Sequence, residues 1–414
     1  MTRESAAIAP PSRSCHRHSP LPSLTVRPVL LVDAVRTPIG ARSGRLSGWH
    51  PADLAAEVLR ALVERTGLDP AAVDDVVLGC AMPVGNQGFN VARSAVLAAG
   101  WPDAVPAGTV DRQAVSSLAA VADAARAVAS GACEIVVAGG VEVMSTTPLG
   151  ATLVPGSVPF GPGVIDRYRD AGGLVPAGSA AEALAVELGL DRAALDGVAH
   201  RSHARATAGA EVVPVASRVL DRDKGEVVRP GTTVAADELP RPTITLDELA
   251  GARPAYAADG LVTAANSGAI GDGAAAVLLM SETAAAALGA TPLAWVRAGI
   301  VVGTDPLAML AGATVATRRI LAAAGMAAAD VARFEVGEPF AAALVAFERA
   351  LGVEANPAGG GIALGEPTGA VGARLVATLA HGLAGGWGVA TTAGLGGLGA
   401  AILLEAHPDA HRAP

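Results

Sequence analysis

One plan occurs twice in this chain and restricts the fold more than any other feature: a small-residue turn, an Ala-rich helix, then a strand carrying glycines. The first copy has a helix over about 115 to 130, with Leu118, Val121, Ala125 and Val128 on one side, and then the strand-like "EIVVAGGVEVM", interrupted by Gly139 and Gly140. The second copy is "GEPTGAVGARLVATLAHGLAGG" followed by "WGVATTAGLGGLG". Apolar positions at helical spacing next to short apolar runs predict alternating helices and strands. Their repetition predicts a duplicated α/β architecture. In both copies the turn falls where strands end, so helix starts and strand ends are expected to face one pocket.

The first half begins with the apolar run of "VLLVDAVRTPIG" at 29 to 33. The helical pattern "HPADLAAEVLRALVERTGL" and the buried-strand pattern "VDDVVLGCAM" follow it. Asp53 suits the N-cap or first turn of that helix, and Gly67 its C-terminal stop. A chain of 414 residues exceeds the size at which a single core keeps growing, so two packed halves are expected. Apolar residues make up 51% but aromatics only 3%, with 50 glycines, which predicts closely layered helices and sheets built from Ala, Val and Leu. The expected divisions are a disordered tail over 1–27, a first half over 28–148 completed by about 261–290, a Gly/Pro-rich loop or lid domain over 149–260, a second half over 291–406, and a tail over 407–414.

A net charge of −9, with Lys224 the only lysine, leaves no basic stripe for nucleic acid. No uninterrupted 18-residue apolar stretch suggests a membrane span. Cys15, Cys80 and Cys133 show neither metal spacing nor a paired framework, which fits a reducing, cytoplasmic setting; Cys80 and Cys133 sit in strand-like runs and read as core. Residues 1–27 lack the continuous apolar stretch of a secretory signal. They faintly resemble a transit peptide, while an unstructured tail or a misassigned start also fits, and "CHRH" leaves a stray metal contact open.

The ordered segments "DAVRTPIG", "VVLGCAMPVGNQGFNVAR", "VVAGGVEVMS", "LVTAANSGAIGDGAAAVLLMSE", "GGGIALGEPTGAVGARLV" and "GVATTAGLGGLGAAILLE" resemble the thiolase family, acyltransferases that make or cleave 3-ketoacyl-CoA. The resemblance runs from about 29 to 405. It implies two similar halves in a five-layer αβαβα sandwich, a loop domain that binds CoA, and assembly as homodimers or tetramers.

The loops that carry thiolase chemistry depart from the family. Where a VNRxCxSG-like loop presents the nucleophilic Cys, "VDRQAVSSL" places Ala114. A helix N-terminus and a nearby base favour the thiolate there, and Ala cannot form a thioester. The GHP-like loop reads "GEP", putting Glu366 in place of the activating His. The NEAF-like loop reads "GEPF", so Gly337 replaces an Asn and Glu338 is kept. The CxGG-like loop reads "TTAGLGG", aligning Ala393 with the proton-shuttling Cys. None of the eight histidines lies in a catalytic loop; His203 and His381 read as structural hydrogen-bonding groups. Removing one member of a nucleophile and base pair costs roughly 10⁶ in rate in a well-studied hydrolase, so thiolysis or Claisen condensation through a covalent Cys intermediate is predicted absent. An Ala-rich composition weakens the meaning of Ala114 and Ala393, but it does not turn a His into Glu366.

Ser116 and Ser117 in the first helical turn are either replacement nucleophiles or caps. Glu366 and Glu338 are candidate catalytic residues: two carboxyls in one pocket share a proton, suiting non-covalent proton abstraction from an acyl thioester or loss of a carboxyl group. The bland alternative is a filled, dead pocket. Asn266, Ser267 and Gly268 fall in the CoA-binding loop by resemblance, with Gly268 where a Ser is usual, and Arg201, Arg205 and Arg241 either meet CoA phosphates or are solvated. No covalent cofactor or metal is expected. Expected partners are an acyl-CoA or carrier-protein thioester, and the rival to a repurposed enzyme is a non-catalytic subunit paired with an active thiolase or ketosynthase.

Overall fold

The computed structural model describes residues 27–410. Cys15, "CHRH" and all of the expected 1–27 tail except Arg27 lie outside the described residues. The first half runs β1 (Val29–Arg36), α1 (Pro51–Thr66), β2 (Asp75–Gly79), α2 (Val91–Ala98), β3 (Ala107–Val110), α3 (Ser116–Ser130) and β4 (Ile135–Val143). After an insertion containing α4 (Ala177–Glu187) and α5 (Arg192–Arg205), β5 (Gly271–Ser281) completes it. The second half runs β6 (Ala294–Gly303), α6 (Gly312–Ala324), β7 (Val331–Val336), α7 (Ala341–Leu351), α8 (Val371–Gly382), β8 (Trp387–Gly394) and β9 (Leu398–Ala406).

Topology establishes the duplication. The first half is ordered β3-β2-β4-β5-β1 and the second β7-β8-β9-β6; both run through a parallel pair (β2/β4, β7/β8) into antiparallel neighbours, and the first half adds a second parallel pair, β3/β2, at its edge. The position matching β3 is taken by an irregular segment. There Asn356 Oδ1 accepts from Val336 N at 2.7 Å and Asn356 N donates to Phe334 O at 2.9 Å. The two halves are joined edge to edge, Leu30 opposite Trp295 and Leu31 opposite Ala294, in one continuous sheet path.

Helices α3 and α8 pack on each other and on strands of both halves, while α1 covers the outer face of the first and α6 that of the second. The result is the five-layer order helix, sheet, helix pair, sheet, helix. α3 is buried on nearly every side, including Ala119, Ala120, Ala122 and Ala124, as a helix between two sheets must be. Its sequence periodicity had shown only one of its two packed faces. At the start of α1 the cap is His50, with Asp53 in the first turn, and Gly67 ends the helix at φ 68° with its N–H on Val63 O.

The insertion packs on the second half, sharing a core of Ala181, Leu195 and Val198 with Phe334, Phe340 and Phe347. It is also tied to β1 by the buried Arg36, whose guanidinium meets Asp237 at 2.7 Å and Glu211 at 3.4 Å. One helical run, Pro306–Ala324, has the length and mean hydropathy (1.3) of a membrane span, where none was expected from sequence. It lies against β6, β8 and β9, with a backbone kink at Ala308. Residues 407–410 remain docked, His407 stacking on Trp295 and donating its N–H to Leu293 O.

Candidate active site

Seven segments meet over the paired α3 and α8: the β3–α3 turn, the segment after β4, the approach to β5, the segment between β6 and α6, the segment after β7, the approach to α8 and the end of β8. They enclose a cavity of about 250 Å³. Its wall is largely apolar, formed by Met144, Leu149, Met309, Leu310, Phe340 and Leu395. Ala114, Ala393 and Glu366 all line it, and among the described residues Glu366 supplies its only carboxyl group. The fold thus brings these three positions from distant loops to one cavity.

The β3–α3 turn is held by its own polar atoms. Gln113 sits at φ 55°, an uncommon conformation for a residue with a side chain, with its N–H on Asp111 Oδ1 at 2.8 Å. Ser116 Oγ accepts from Arg112 N at 2.8 Å and donates to Gln113 O at 2.5 Å. Ser117 Oγ accepts from Ala373 N on α8 at 3.1 Å. Both serines are buried and lie outside the cavity wall; Ser116 braces the turn before the helix without capping it, and Ser117 ties α3 to α8.

Glu366 enters from the turn before α8, its own N–H bonded to Ala269 O at 2.8 Å. Its Oε1 accepts from Glu338 N at 2.7 Å and stands 4.0 Å from Arg374 Nη2, and the side chain is 11% exposed. Burial pushes its pKa up to about 7; Arg374 and the Glu338 amide pull the other way, and the Glu338 carboxylate adds to the rise. Room for it is made by glycines. A Cβ on Gly361 would lie 2.0 Å from Glu366 Oε1, and one on Gly268 3.0 Å from Glu366 Cγ.

Glu338 is not a second cavity carboxyl. It is 1% exposed and accepts from Asn356 Nδ2 at 2.6 Å, Ser202 Oγ at 2.8 Å and Ile362 N at 3.2 Å, so it fastens α5 to the loops beneath the site. Gly337 also lies off the cavity; a Cβ there would sit 2.1 Å from Thr392 Oγ1, which leaves no space for the Asn of the resemblance. Asn266 is likewise turned away, bonded to Thr263 N, Asp196 and Leu261 O. Ser267 and Gly268 do line the cavity, although the Ser267 hydroxyl is committed to Thr263 O at 2.6 Å.

Two of the three arginines considered for CoA phosphates are already paired, Arg201 with Glu348 at 2.8 Å and Arg205 with Glu354. His203 accepts from Arg241 N, and its pKa falls to about 4 through burial and the nearby cation. His381 Nε2 lies 2.8 Å from Ala34 O, outside the cavity. Cys80 is buried beside Glu142, and Cys133 is half-buried. No group of His, Cys, Asp and Glu among the described residues has the arrangement of a metal site.

Sequence reasoning missed Arg374 and Glu335. Arg374 lies in α8, whose residues from Val371 to Ala380 are otherwise small or apolar and buried on every side. A lone charge in such a run was the available signal.

The chain matches the thiolase N-terminal domain over residues 29–283 and the thiolase C-terminal domain over 290–406. The chain belongs to the thiolase family. Among similar thiolases, the 3-ketoacyl-CoA thiolase FadA of Escherichia coli (strain K12) is 39% identical over 360 residues, covering 85% of this chain and 91% of that protein. The 3-ketoacyl-CoA thiolases of Escherichia fergusonii and Shigella flexneri serotype 5b give the same identity and coverage.

Proposed function

We propose that this thiolase-family chain binds an acyl thioester, of CoA or of a carrier protein, and acts on it without a covalent acyl-enzyme, with Glu366 as its acid/base group. One observation carries this reading: the only carboxyl that the described residues bring to a largely apolar cavity is held by burial at a pKa of about 7. A base poised near the working pH combines a sizeable ionised fraction with useful proton affinity. Glu366 takes a proton from the carbon next to the thioester carbonyl, leaving an enolate and a protonated Glu366, and then returns that proton to carbon. With a malonyl-type ester the C–C bond breaks instead, CO₂ leaves, and protonated Glu366 quenches the carbanion. In this reading the backbone N–H of Ala114 donates to the thioester oxygen. Ala114 and Ala393 have no nucleophilic atom, and Ser116 and Ser117 face elsewhere, so ordinary thiolysis is absent.

A second reading, a non-catalytic partner of an active thiolase-like subunit, is favoured by a different feature. Strand β3 ends the sheet path with one edge unpaired, and beside it Phe89 is fully exposed at φ 57°. The deciding experiment mixes the purified protein with acyl-CoA and malonyl-type thioesters and follows protein and small molecules by mass spectrometry. New product without a protein adduct, lost in Glu366→Gln while ester binding persists, supports the enzyme. Co-purification with a second chain, no turnover alone and indifference to that substitution support the partner, and thiolysis of acetoacetyl-CoA sinks both.

A further inference from the structure

Beneath the cavity, Arg374 is 1% exposed and its Nε, Nη1 and Nη2 make no hydrogen bond to the described residues. Beside it, Glu335 Oε2 is also buried and unpartnered. A guanidinium presents five N–H donors, and burying them unsatisfied costs far more than folding can spare. Water bridging polar atoms in such places would meet both deficits at once. The charged groups around this spot are Arg333 and Glu335 on β7, Glu338 after β7, Glu366 before α8 and Arg374 on α8.

Their partners differ. Arg333 is spent on Glu335 at 2.7 Å and on Gly382 O. Glu338 is held by three hydrogen bonds from neutral donors. Glu366 has one backbone N–H and, at 4.0 Å, Arg374. Three carboxyls thus face two guanidiniums, and Arg374 is the cation on which the charge of Glu366 depends.

We infer that Arg374 is a positioning residue for Glu366: through buried water it acts as a counter-ion shared with Glu335 and sets whether Glu366 carries its proton. This rests on the role proposed for Glu366, but its test needs no turnover. Infrared difference titration, using Glu366→Gln to assign the band, follows the protonated carboxyl of Glu366 in the full-length protein. In Arg374→Met the titration midpoint should rise by about one pH unit or more, a tenfold change in proton affinity. In Glu335→Gln it should fall, because the guanidinium then loses a competitor. Unchanged midpoints in both folded variants would overturn the inference; if Arg374→Met does not fold, Glu335→Gln alone decides in the same way. An Arg374-dependent midpoint without turnover would leave this inference standing and sink only the enzymatic reading.

Discussion

If Glu366 is kept for chemistry, it should weaken the fold at neutral pH, and Glu366→Gln measures by how much. Its carboxyl moves from an ordinary value of 4.5 to about 7 on burial, a gap of roughly 2.5 units worth about 3 kcal/mol. The sign follows from proton counts. Below pH 4.5 both folded and unfolded chains hold the proton and the residue is neutral in its effect. Between 4.5 and about 7 the folded chain binds more protons, so stability falls by about 1.4 kcal/mol per pH unit. Above 7 the loss is complete. Glutamine is close in shape to protonated Glu and keeps an oxygen for the Glu338 amide, so the variant should match the wild type near pH 4 and exceed it by about 3 kcal/mol at pH 8. Glu335, also raised to about 7 by burial, gains the whole of Arg374 in the variant, so its own titration moves down and adds to the difference in the same direction. Denaturation midpoints across pH 4 to 8 for the two proteins supply the assay. A wild type as stable as, or more stable than, the variant at pH 8 would refute the claim that the Glu366 charge is uncompensated.

Three further outcomes follow from the same geometry. Gly361→Ala puts a methyl group 2.0 Å from Glu366 Oε1 and should cost roughly 1–3 kcal/mol by overpacking while displacing the carboxyl, read as a changed Glu366 titration in a protein that still binds ester. Asn356→Ala strips the buried Glu338 carboxyl of its 2.6 Å donor and should destabilise by about 3 kcal/mol, checked by denaturation. Ser116→Ala removes two short hydrogen bonds at the start of α3 and should cost about 1–2 kcal/mol, with intact-protein mass spectra on acyl-CoA incubation showing no adduct before or after the change.

The duplicated architecture was legible because periodicity and glycine turns are local signals, and strands such as β4 and β8 show them directly. The site was legible where family loops could be matched: Ala114, Glu366 and Ala393 share one cavity. Sequence could not tell which way a side chain turns. Glu338 and Asn266 lie in loops next to cavity residues, yet point into the protein toward Asn356 and Asp196. Nor could it show that Gly268 and Gly361 vacate the volume that Glu366 fills, or that Arg374 lies beneath it. The Gly268 contact joins segments distant in sequence, while Gly361 and Arg374 lie close to Glu366 along the chain and only the direction in which each side chain turns was hidden.

Hydrogen exchange at the α-carbon tests the central claim most directly. An acyl-CoA panel is incubated in D₂O with wild-type protein and with Glu366→Gln, and deuterium at the carbon next to the thioester is read by mass spectrometry. Deuterium incorporation by the wild type, with a pH midpoint near 7 and loss in Glu366→Gln, is the predicted result. Bound ester that gains no deuterium, or gains it equally with either protein, would contradict a catalytic Glu366.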